Sequence, residues 1–214
     1  MQKNYINNEW VDGLDGKNFD VENPFTEEII AQVPQSSHRD VDMAVQAAKR
    51  AWKNWRTLGS LDMRDLMREV AVKSRVHDHE IATIITEESG KPLIECLDEI
   101  EWVASIFEYY SEIGRDQRGR VVAPVTPRSM SMVVKESYGV VGCIVPWNYP
   151  LLLMAWKAAP ALAAGNTVVV KPSEITPLSI MSWLEKCCDH LPNGILNMVT
   201  GHGETGAALV EHPD

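Results

Sequence analysis

No apolar run in the 214-residue chain is long enough to cross a bilayer as a helix; the longest, Leu151 to Ala164, is interrupted by Lys157 and Pro160. The opening residues MQKNYINNEW lack the continuous apolar segment of a secretory signal. Together these absences predict a soluble, cytoplasmic protein with no membrane partner. Basic residues are scarce as well: 20 Lys and Arg stand against 30 Asp and Glu, a formal charge of −10. Nonspecific nucleic-acid binding needs Lys and Arg to neutralise phosphates, so this balance disfavours it and no nucleic-acid partner is expected. The four cysteines, Cys96, Cys143, Cys187 and Cys188, show neither CxxC nor paired zinc spacing. A bridge between adjacent Cys187 and Cys188 would be strained, and reduced structural thiols are expected. His77 and His79 point to different faces of a helix and make a poor metal pair, so no metal site is expected. Internal repeats and low-complexity tracts are also lacking.

What is present is an ordinary globular composition, 45% hydrophobic and 23% charged. YINNEWV alternates around Asn7-Asn8 and predicts a small hairpin. From residue 37 the period becomes helical. Val41, Ala44, Val45, Ala48, Trp52 and Trp55 recur at three- and four-residue intervals, with Ser37 or Asp40 available as an N-cap. A second helix is predicted after Ser60, a third carries Ile81, Ile84 and Ile85 up to the Gly90 and Pro92 stop, and a fourth runs to about Ile113. Residues 115–128 predict a loop or exposed edge, and SMSMVVKESY alternates like a half-buried strand suited to pairing with another subunit.

From Gly139 strands and helices alternate. GVVGCIVP, TVVVK and ILNMVT are predicted strands, and PLLLMAWKAAPALAA, PLSIMSWLEKCCDHL and GHGETGAALVEH are predicted helices. The βαβαβα order implies a parallel sheet with helices on its faces. The expected fold is α/β: an incomplete Rossmann-like parallel sheet with an N-terminal helical region and an edge or oligomerisation arm. The expected division is 1–114 for the hairpin and helices, 115–138 for the arm, and 139–214 for the dinucleotide-binding segment. A sheet ending at its third strand is expected to leave an unpaired edge, and with it self-association or a disordered tail.

In a parallel sheet, ligands gather at the carboxyl ends of the strands. Three such ends are visible: PWN at 146–148, KPSE at 171–174 and TGHGETG at 200–206. Asn148, held between Pro146 and Pro150, either donates to a developing oxyanion or caps the following helix. Lys171 and Glu174 flank Pro172; the carboxylate either accepts from ribose hydroxyls or sits on a solvated, capped turn. The glycines of GHGETG serve phosphate approach or simply a tight turn with close helix packing. Tyr149 and Trp156 lie two turns apart on one side of a helix, as core residues or as part of an aromatic box for a cation.

Taken together, PWNYPLLLMAWKAAPALAAGNTVVVKPSEITPL, NPFTEE at 23–28 and ESGKP at 88–92 resemble the aldehyde dehydrogenase superfamily over essentially the whole chain. Tyr149 followed by Trp156 is most similar to the betaine aldehyde dehydrogenases within it. The resemblance implies oxidation of an aldehyde to an acid with NAD, or NADP, as hydride acceptor, by a thiolate nucleophile and a glutamate-activated water. It implies Asn148 as oxyanion donor. Ile144, Val145, Pro146 and Trp147 would flank the cofactor, Lys171 and Glu174 would hold the adenosine ribose, and Gly203 would lie near the adenine or pyrophosphate. Tyr149 and Trp156 would line the tunnel for a small aldehyde, such as a trimethylammonium or amino aldehyde, in a homo-oligomeric enzyme. The segment bearing the family's nucleophilic cysteine and general-base glutamate has no match here, and the catalytic domain is expected to be absent, so this chain alone is expected to be inactive. The alternative is a short noncatalytic protein of the same descent that binds nucleotide or modulates assembly.

Overall fold

The computed structural model describes residues 2–116 and 118–214. Strands β1 (Asn4–Ile6) and β2 (Glu9–Val11) form the expected hairpin. Asn7 and Asn8 take φ of 58° and 62°, the left-handed pair that a two-residue turn requires and that asparagine tolerates. A second hairpin, absent from the sequence expectation, pairs β3 (Asn18–Glu22) with β4 (Ile29–Pro34). Its turn holds the NPFTEE segment, where the Asn23 side chain accepts the amides of Phe25 and Thr26 at 2.9 and 3.2 Å.

The four predicted helices follow as α1 (His38–Trp55), α2 (Ser60–Val76), α3 (Asp78–Ser89) and α4 (Leu93–Ile113). Ser37 is the N-cap of α1 and Asp40 the third helical residue, whose carboxylate accepts the Ser37 and Leu14 amides, each at 2.9 Å. Beyond a short 3-10 turn, β5 (Arg120–Val122) and β6 (Ser131–Val133) form an exposed arm. Only three residues of SMSMVVKESY are strand. The alternating segment is β7 (Val140–Ile144), α5 (Pro150–Ala163), β8 (Thr167–Lys171), α6 (Leu178–Cys187), β9 (Leu196–Met198) and α7 (Gly203–Val210).

The main sheet has the order β2-β1-β9-β8-β7. Strands β7, β8 and β9 are parallel, and β1 adds antiparallel to β9 with Tyr5 opposite Met198. This corrects the expected edge: the third parallel strand is interior, and within this sheet the outer parallel strand is β7. Buried asparagines fasten the added hairpin. Asn4 Oδ1 accepts the Thr200 amide at 3.0 Å, and Asn197 Oδ1 accepts the Asn7 amide at 2.9 Å. The final residues are also tied down, because the Asp214 carboxylate accepts from Lys49 and Gln46.

Strand β8 is buried along its whole length, so its side chains serve two cores. Val168 and Val170 face a large cluster with α2 to α6, while Val169 packs with Val41, Ala44, Val45 and Leu209 of α1 and α7. Embedding helices in that large cluster leaves their first amides without carbonyl partners. Two buried glutamates answer this. Glu99 of α4 accepts the Leu151 and Leu152 amides of α5 at 2.9 and 3.0 Å, and Glu88 of α3 accepts the Leu178 and Ser179 amides of α6 at 2.7 and 3.0 Å.

Burial pushes the Glu88 carboxyl from its ordinary 4.5 up to about 8, against the downward pull of the Ser179 and Leu178 hydrogen bonds. Folding therefore binds a proton that the unfolded chain has released. This contribution is complete below the unfolded value and is lost as pH rises through the folded one. Relative to Glu88→Gln, the wild type is expected to lose stability from about pH 5 to 8, by up to about 1.4 kcal/mol per pH unit. Paired thermal melts across that range check this; a constant or widening advantage for the wild type contradicts it.

Candidate active site

Parallel pairing of β7 with β8 sets Ile144 opposite Lys171, so the two strands end side by side. The Val145 amide still donates to the Lys171 carbonyl at 3.1 Å, and the Val145 side chain is buried in the core. Beyond it Pro146, Trp147 and Asn148 emerge into solvent, and Tyr149 is half-buried. Ile144 at the strand end is itself 42% exposed. These residues form an open ledge at the sheet's carboxyl end, with Val145 available only through its backbone.

Asn148 does not cap α5. The N-cap position belongs to Tyr149 without a side-chain cap, Pro150 takes the first helical position, and the next two amides are satisfied by Glu99. Among the described residues, the Asn148 carboxamide makes no hydrogen bond. A donor held on a short turn and unspent within the protein suits stabilisation of a developing oxyanion.

Asn148, Tyr149 and Trp156 come together on one groove of about 710 Å³, completed by Trp102, Ser105, Ile106, Leu152 and Leu153. The lining is mainly apolar. Trp102 and Tyr149 lie 6.3 Å apart between ring centroids, tilted by 32°. Tyr149 already carries an internal cation on its ring, with Lys91 Nζ 4.0 Å from the centroid. Trp102 was missed in the sequence, although a signal existed: it lies off the stripe of α4 that buries Ile100, Ala104 and Phe107.

At the end of β8, Lys171 is buried and its Nζ lies 3.5 Å from Glu174 Oε2. Burial draws the Lys171 ammonium below its ordinary value, partly opposed by Glu174. The Glu174 carboxyl is held below its ordinary value by its own backbone amide and by Lys171. Its side chain is 41% exposed. Glu174 has no capping duty, because Glu88 takes the α6 amides and Ser173 Oγ accepts the Ile175 amide at 3.3 Å. An exposed anionic acceptor beside a fixed ammonium can bind vicinal hydroxyls.

After β9, the glycines of GHGETG divide their work. Gly201 sits at φ 149°, where a Cβ would meet Thr205 Oγ1 at 2.1 Å; this is a tight turn in which a side chain has no room. Gly203 opens α7, and a Cβ there would meet nothing, leaving free space over the turn. Between them lies His202, whose field adds a minor lowering of the Glu174 carboxyl. His202 Nδ1 is 2.6 Å from Gln35 Oε1, and its ring meets Phe19 edge-on at 4.6 Å. Gln35, Phe19 and His202 were missed, since they depend on the unforeseen second hairpin.

The chain's four cysteines are Cys96, Cys143, Cys187 and Cys188. All are free and buried. Burial pushes Cys143 up to about 11 and Cys187 up to about 12, and raises Cys96 and Cys188 too. A buried thiol kept protonated is structural, as expected. Among the described residues no helix is long and apolar enough to cross a membrane.

Comparison with known proteins finds relatives over nearly the whole chain. An aminoaldehyde dehydrogenase, named as peroxisomal, from Malus domestica is 39% identical over 219 residues, covering 98% of this chain and 44% of the relative. The NAD+ complex of a betaine aldehyde dehydrogenase point mutant from Staphylococcus aureus superposes with a TM-score of 0.93 at 34% identity, over 99% of this chain and 44% of that one. An NADP-dependent enzyme from E. coli superposes with a TM-score of 0.95 at 34% identity, over 100% of this chain and 45% of that one. The chain thus spans under half the length of these relatives. The profile described as "Aldehyde dehydrogenase family" matches residues 10–214, and with the strand-end architecture already laid out this chain belongs to the aldehyde dehydrogenase family.

Proposed function

We propose that this chain supplies the cofactor ledge and oxyanion donor of an NAD(P)-dependent enzyme that oxidises a small aldehyde to its acid. The observation that carries this reading is the unspent Asn148 carboxamide, on a turn beside the Lys171 and Glu174 strand end. The residues present fit a dinucleotide. Lys171 and Glu174 would hold the adenosine ribose, Gly203 leaves room for the adenine or pyrophosphate side, and Ile144 to Trp147 would flank the remainder, Val145 through its backbone. Bound NAD(P) supplies the hydride acceptor. Asn148 Nδ2 donates to the aldehyde oxygen as negative charge develops on it, and the groove of Trp102, Tyr149 and Trp156 orients the aldehyde and excludes water.

The names of the two aldehyde dehydrogenase relatives, together with the aromatic groove, support a betaine or amino aldehyde as substrate. Glu174 favours NAD over NADP, because an anionic carboxylate repels a 2′-phosphate. A cytoplasmic location for the assembled enzyme is part of this proposal; the Malus relative is named as peroxisomal.

Glu174→Gln is expected to weaken NAD binding by about tenfold or more, the loss of one charge-assisted hydrogen bond, and to narrow the preference over NADP. Calorimetric titration of both dinucleotides measures this; unchanged affinities remove Glu174 from the site.

The burial of all four thiols supports a nucleophile outside these residues. The 214-residue chain by itself is therefore expected to form no NADH from NAD and betaine aldehyde. Steady turnover would show that one of its own groups performs the attack.

The arm is proposed to pair between subunits of a homo-oligomer, since it exposes Val121, Val125, Met130 and Met132 at 76%, 92%, 76% and 61%. Replacing Val121 and Met132 by glutamate is expected to lower the mass measured by light scattering. An unchanged oligomeric mass contradicts a role for the arm.

A further inference from the structure

The turn that carries Asn148 is gripped from below by one ion pair. Lys91 lies between Gly90 and Pro92 on the connection from α3 to α4, and its Nζ donates to Glu99 Oε2. The same ammonium donates to the Asn148 backbone carbonyl at 3.4 Å and sits 4.0 Å from the Tyr149 ring centroid. The other carboxylate oxygen, Glu99 Oε1, accepts the Leu151 and Leu152 amides at 2.9 and 3.0 Å. Backbone on both sides of the Tyr149-Pro150 corner is therefore tied to a single pair. Glu99 is fully buried and the Lys91 side chain is only 11% exposed, so solvent screens these contacts little.

We propose that the Lys91–Glu99 pair is a positioning element for Asn148, fixing the direction in which its carboxamide is presented and the plane of the Tyr149 ring. The inference rests on the reading of Asn148 as oxyanion donor. An emergent turn whose side chain has no protein partner takes its orientation from its backbone. Here the carbonyl of Asn148 and the first amides of α5 are the groups that are held. Neither Lys91 nor Glu99 is among the residues lining the aromatic groove, so they act through the turn rather than on the substrate.

Removing one partner alone strands a buried charge and endangers folding. The informative variant is Lys91→Met combined with Glu99→Gln, in which both charges go and a carboxamide oxygen still accepts the Leu151 and Leu152 amides. Nuclear magnetic resonance on the 214-residue chain reads the result. The double variant is expected to fold, to lose order in the Asn148 and Tyr149 amides, to shift the Tyr149 ring protons, and to leave the Leu178 and Ser179 amides unchanged. As a second variant, Lys91→Arg keeps the ion pair while altering the geometry over Tyr149. It is expected to move the Asn148 and Tyr149 signals with little change at Leu151 and Leu152. Wild-type order and shifts at Asn148 and Tyr149 in either folded variant overturn the proposal.

In the assembled enzyme the double variant is expected to lower kcat by about 100-fold, the cost of a misplaced group, with KM for NAD unchanged. Undiminished kcat overturns the positioning role. Asn148→Ala separates the two claims. If it lowers kcat while the double variant does not, positioning fails and the oxyanion reading stands. If Asn148→Ala leaves kcat intact, the oxyanion reading fails, and the resonance comparison still decides whether the pair orders the turn.

Discussion

A helix buried at its start has amides that no carbonyl of its own can satisfy, and the fold meets this constraint twice with a glutamate side chain borrowed from the N-terminal helices. Glu99 closes the start of α5 and Glu88 the start of α6. Each helix follows a strand-end turn that bears candidate chemistry, α5 starting at Pro150 after 146–148 and α6 at Leu178 after 171–174. The capping contacts therefore do more than complete a hydrogen-bond account. They fasten helices α3 and α4 to the ledge where ligand groups would sit, so the N-terminal region acts as a support for the site.

The same constraint explains why Asn148 is free. Asparagine before a helix that opens with proline is ordinarily spent as a cap. Here the amides that it would have served are already bonded to Glu99, and the carboxamide is left for other work. At the neighbouring strand end Glu174 is released by Glu88 in the same way. Asn148 is left without a partner among the described residues, and Glu174 is left to Lys171 and its own amide, because buried glutamates distant in sequence took the capping places.

Much of this was legible in the residues. Helical periodicity located all four N-terminal helices, and the alternation from Gly139 located three parallel strands and the helices that follow them. Asn7-Asn8 declared its turn by residue type. The second hairpin was invisible because its strands are short and largely exposed, without a strict alternation of apolar residues. The sheet's edge was misplaced because β1 joins β9 through a pairing more than 190 residues distant, which local pattern does not encode. For the site, residue type picked out Asn148, Lys171, Glu174, Tyr149 and Trp156. Of their partners, Glu88 and Lys91 fall in the ESGKP segment, which carried the resemblance but no role, and Glu99 and Trp102 drew no attention in the sequence; only the tertiary packing shows that Glu88 and Glu99 lie in the core and that Trp102 lines the groove.

The central claim is that three strand ends of this chain form one dinucleotide ledge. Titrating NAD into the isotopically labelled chain and mapping the amide shifts tests it most directly. The account predicts that the changes concentrate at 144–148, 171–174 and 200–206, with only small effects in the arm. Shifts confined elsewhere, or none at saturating NAD, would contradict it.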